Sequence, residues 1–112
     1  MTVTYEELLV EIKKLDIEEV RVNSDNLFEL VIKVNLLTNL HFVLQDFFGP
    51  PFKPAGEIPS RTAQEYSSSF GGIRSNQTMY YIKHDNFCSR AMIWPWNDGT
   101  HVTVKIFRSQ KT

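Results

Sequence analysis

A cysteine can act as a nucleophile when a nearby base holds it as a thiolate. Cys88 has two histidines within reach along the chain, His84 before it and His101 after it. The surroundings argue against that use. Cys88 lies between Phe87 and Ser89 in a strand-like run, where a small buried hydrophobe is commonplace. His84 and Asp85 are adjacent and point different ways, so they do not form an orienting pair. His41, His84 and His101 show no metal-ligand spacing, and no second cysteine supports one. Motifs of the serine-hydrolase, zinc-protease and phosphate-loop types are lacking. The reading is therefore non-catalytic, with no cofactor and no metal.

Binding chemistry is better represented. The stretch FFGPPFKPAGEIPS, residues 47–60, holds four of the five prolines and two of the five glycines, together with three phenylalanines. Prolines stiffen it and the aromatic rings can pin it down, which makes it a clamped wall more than a hinge. Lys53, between Phe52 and Pro54, is then a preorganised cation for an anionic ligand, or a solvated lysine on a packed crossover. GGIRSNQ, residues 71–77, offers two permissive glycines and the donors of Arg74 and its neighbours. These glycines end a helix instead of opening one, so no dinucleotide fingerprint is present. IWPWNDG, residues 93–99, sets Trp94 and Trp96 around a proline, next to Asp98. Tryptophan combines apolar area with an N–H donor and is enriched at interface hot spots. Tyr80, Tyr81 and Phe107 with Lys83, Arg90, Lys105 and Arg108 follow the aromatic-plus-basic logic of single-strand binders. The RNP pattern is missing and the sequence pI is near 6.3, so nucleic acid is not the expected partner.

These candidates need elements to hold them. Thr4 and Glu7 form a capping box, with Val3 and Leu8 at hydrophobic-staple positions, ahead of an apolar face of Leu8, Leu9, Ile12 and Leu15. That helix ends near Lys14 or Leu15. IEEVRVN and LFELVIKV follow, joined by a polar Ser24-Asp25-Asn26 turn. Phe28, Leu30, Ile32 and Val34 alternate with polar or outward positions, which favours a strand hairpin over a competing helix. Thr38 is placed to cap a second helix with Leu40, Val43, Leu44 and Phe47 on one face, stopped by Gly49-Pro50. Ser60 caps a third, lined by Ala63, Tyr66 and Phe70 and stopped by Gly71-Gly72. TMYYIK, NFCSRAMIW and THVTVKIFR then read as a three-stranded meander, with Asp98-Gly99 in the last turn.

The expected fold is α+β: an antiparallel sheet of about five strands, an N-terminal hairpin plus a C-terminal three-stranded meander, with about three helices packed on it. At 112 residues this is one globular domain spanning 1–112. The first fifty residues carry a net −5 and the remainder +4, an asymmetry able to steer anions to the second half. A start with no basic segment ahead of an apolar run, and no uninterrupted apolar span, point to a cytosolic protein away from membranes. The functional expectation is a small protein-interaction module, binding a protein partner or a second copy as a twofold dimer. Its surface would combine Phe52 and the proline stretch with Trp94, Trp96 and Asp98. The alternative is a binder or enzyme for a small anionic ligand. There Lys53 and Arg74 hold the charge, Tyr66 and Trp96 wall the pocket, and His84 or His101 moves protons.

Overall fold

The computed structural model describes residues 4–68, 71–83 and 86–110. Helix α1 spans Tyr5–Lys13 and opens on the expected capping box: the Thr4 amide donates to Glu7 Oε1 and the Glu7 amide to Thr4 Oγ1, both at 3.1 Å. Val3, the other half of the staple, lies outside the described residues. Strands β1 (Glu19–Asn23) and β2 (Leu27–Lys33) form the first hairpin. Residues 27–33 are a strand, because Phe28, Leu30 and Ile32 are all buried on one face, as a period of two requires.

A short 3-10 turn, Val34–Leu36, leads directly into α2 (Leu37–Phe48). Thr38 is therefore inside the helix and caps nothing: the chain enters α2 from a tight turn, and Leu36 takes the capping position without a side-chain bond. Gly49 ends α2 at φ 79°, with its amide on the Gln45 carbonyl, as the sequence anticipates. Helix α3 is brief, Arg61–Tyr66, capped by Ser60 Oγ accepting from the Ala63 amide. It stops before the glycine pair. The buried Ser67 hydroxyl turns back onto the Ala63 carbonyl at 2.7 Å, and Gly71 and Gly72, both at positive φ, make the turn that follows. Phe70 falls outside the described residues.

The last strands are β3 (Thr78–Lys83), β4 (Phe87–Pro95) and β5 (His101–Gln110). All five strands join one antiparallel sheet in the order β1-β2-β5-β4-β3. On one face Leu30, Ile32, Ala91, Ile93, Val102, Val104 and Ile106 meet Leu8 and Ile12 of α1 and Leu40, Leu44 and Phe48 of α2 in the main core. On the other, α3 and the loops around it close a smaller cluster of Ala63, Ile73, Met79, Met92 and Phe107. No helix among the described residues is long and apolar enough to cross a membrane.

Candidate functional site

The proline stretch does form a wall, fixed by means the sequence does not show. Lys53 exchanges two backbone hydrogen bonds with Met79, at 3.0 and 2.9 Å. Its side chain is buried, and Nζ donates to the carbonyls of Ser75 and Gln77, each at 2.6 Å. Burial draws the ammonium below its ordinary pKa, with Glu57 opposing that shift. Lys53 is thus an internal rivet, with two of its three ammonium donors spent on the protein's own backbone. Ile58 is 88% exposed and does not hold the loop down. Phe47 and Phe48 do that work as the buried end of α2.

Between this wall and α2 lies a groove of about 430 Å³. Thr38, His41, Phe42 and Gln45 line the helix side, Pro51, Pro54 and Ala55 the loop side, and Thr78 contributes from β3. Spacing of three, four and seven residues puts the four helical residues on one stripe, beside the stripe that α2 buries in the core. At the base, the buried Tyr80 hydroxyl lies 2.7 Å from His41 Nδ1 and accepts from Gln45 Nε2 at 3.4 Å. His41 Nδ1 and the phenol thus share one hydrogen bond, whose donor is set by the imidazole tautomer. Burial lowers the His41 pKa and raises that of Tyr80, which keeps both neutral. The groove therefore combines apolar walls, an aromatic residue on its rim and one imidazole ring. This mixture is typical of recognition clefts.

Sequence reasoning passed over Thr38, His41, Phe42 and Gln45 because it followed only the buried stripe of α2. A helix carrying a second, mixed stripe ahead of a proline-rich connection is the signal that would have found them.

The other candidates are dispersed. Phe52 packs with Tyr66 and Tyr81, ring centroids 5.6 and 5.7 Å away, over the β3 edge. Trp96 sits toward the opposite edge: Nε1 donates to Thr103 Oγ1 at 2.7 Å, and Arg21 of β1 lies over its ring. Phe52 and Trp96 share no patch, so the expected combined surface is not formed. Trp94 is half-buried beneath the Lys105 ammonium, 4.2 Å from the ring centre. It lines a cavity of about 590 Å³ together with Arg74, Gln64 and Gln77. Arg74 is exposed there, well separated in role from the spent Lys53. Asp98 organises its turn. Its carboxylate accepts from the Thr100 and His101 amides and meets His101 Nδ1 at 2.7 Å, and these bonds, the Thr100 amide first, hold it well below the usual carboxylate range. Cys88 and His101 stand at opposite ends of the β4–β5 ladder, so they make no nucleophile–base pair. His84 lies outside the described residues. Among the described residues no three His, Cys, Asp or Glu side chains converge on a metal position.

No protein-family model, curated protein or solved structure matches this chain.

Proposed function

We propose that the protein is a non-catalytic association module of the cytosol that pairs with a second copy of itself through the α2–proline groove. The observation that supports this is a projecting ring beside an open slot. Phe42 is 71% exposed on the rim of the groove. A twofold interface needs one patch that is complementary to itself. A projecting aromatic and an apolar cleft side by side meet that need, since each copy's Phe42 can enter the other's groove. Pro51 and Pro54 keep the cleft preorganised, so little ordering entropy is lost on docking. His41 and Gln45 add polar groups along the helix side of the groove.

Light scattering after size exclusion tests the proposal across a concentration series. The apparent mass is expected to rise from 13.0 kDa toward twice that value as protein concentration increases. Phe42→Ser should weaken the pairing at least about thirtyfold, as removal of a hot-spot aromatic does. A wild-type protein that stays monomeric at the highest concentration sinks the proposal.

A further inference from the structure

Antiparallel register sets six side chains of the other sheet face in two rows. Tyr81, Arg90 and Phe107 are cross-strand partners in the first, and Lys83, Cys88 and Ser109 in the second. Residues two apart on a strand share a face, so the rows lie one above the other. Tyr66 of α3 covers the first row by stacking on Tyr81 at 4.2 Å. Cys88, the short side chain at the middle of the second row, leaves a depression of about 460 Å³ bordered by Lys83, Arg90 and Ser109.

The charges in this depression are unmatched. The Arg90 guanidinium is held among Tyr66, Tyr81 and Phe107, 5.9, 5.6 and 5.5 Å from the ring centres. Rings orient a cation without neutralising it. Among the described residues its polar contact is a long one, Nη1 to Ser109 Oγ at 3.4 Å, and Nε has no partner there. Lys83 is exposed, and among the described residues no carboxylate lines the cavity. The Tyr81 hydroxyl is directed at Cys88 Sγ, 3.4 Å away, so the sulfur is engaged as an acceptor. Two cations and a serine hydroxyl thus converge with no carboxylate among the described residues to balance them. This contrasts with Arg108 and Lys105, which reach Glu6 and Glu29.

We infer that this depression is an oxyanion site for a phosphoryl group, in which Arg90 and Lys83 neutralise the two negative charges and Ser109 donates a hydrogen bond. Guanidinium suits this role because its planar fork of donors matches phosphate oxygens. The rings fix Arg90 in advance, so binding costs little rotamer entropy. The site lies on the far side of the sheet from α2 and does not depend on the groove.

Titration with inorganic phosphate at constant ionic strength, read from the Cys88 and Ser109 amide signals by NMR, tests it. Saturable shifts at both amides are expected. Arg90→Gln should weaken binding about tenfold to a hundredfold, as loss of a charge-assisted bond does. Lys83→Gln, at an exposed position, should weaken it a few-fold and leave the fold intact. Adenosine monophosphate as a second probe separates the sources: tighter binding than phosphate assigns a nucleotide, and equal binding assigns the phosphoryl group alone. A linear, non-saturating response that chloride reproduces overturns the inference. So does an affinity unchanged in both variants.

Discussion

On one face of the sheet, Leu30, Ala91 and Val104 meet two helices and are fully buried. On the other face of the same strands, Tyr81, Arg90 and Phe107 meet a six-residue helix and its loops, and cations remain in the layer. Lys105 and Glu29 form a 3.5 Å pair there with side chains only about one-sixth exposed, the ammonium lying over the face of Trp94. Long helices supply regular apolar stripes that interlock with a pleated surface and exclude water. Irregular loops cannot do so as completely, and their residual gaps are filled by long amphipathic side chains. The consequence is a division of labour. Stability is concentrated on the helical face, and the larger cavities, about 460 and 590 Å³, open on the loop side.

The sharpest way to break this contrast is to compare equal truncations on the two sides. Leu44→Ala removes a fully buried side chain from the helical core and should cost about 2–5 kcal/mol, read as a lower urea midpoint with an unchanged slope. Lys53→Met keeps the stem and removes the ammonium from the rivet that closes the loop side. Ser75 O retains the Gly56 amide, so the Gln77 carbonyl is the group left unsatisfied. A loss of about 1–3 kcal/mol is expected from that orphaned acceptor. If Lys53→Met costs as much as Leu44→Ala, the two faces contribute alike and the contrast fails.

The smallest effect lies at the boundary between the faces. The His41 pKa is lowered by folding, so the native state binds fewer protons than the unfolded chain near the ordinary value of 6.5. Its contribution to stability is complete above that value. It declines as pH falls through 6.5 toward the depressed native pKa. His41→Gln should flatten the thermal-melt profile between pH 7 and about 5. An unchanged profile would show that burial does not hold the imidazole neutral.

Much of the sheet is legible in local sequence. Alternation in Val102–Ile106 and in Phe28–Ile32 favours strands with one face in the main core, and the Thr4 and Ser60 caps act on amides three residues away. The sites depend on distant partners. Lys53 looks like a surface cation because the carbonyls that bury it belong to residues 75 and 77, across the α3 excursion. Arg90 gains meaning only from the register that sets Tyr81 on one side and Phe107 on the other. Trp96 and Phe52 are separated by strand order, since β5 is placed at the centre of the sheet by its pairing with β2. Thr38 fails as a cap through a local cause, a 3-10 turn that no residue of Val34–Leu36 announces.

The bridge between Lys53 and Met79 also bears on aggregation. An outermost strand exposes a row of free amides and carbonyls on which another molecule's strand can grow. On β3 the crossover occupies the Met79 positions as a one-residue sixth strand, and the exposed Lys83 follows at the far end. On β1 the opposite edge is broken by an irregularity between Val20 and Val22 and flanked by the charges of Glu19 and Arg21. The crossover backbone at Lys53 thus covers one position of the β3 rim and the bulge interrupts the β1 rim, features that disfavour edge-to-edge growth into fibrils.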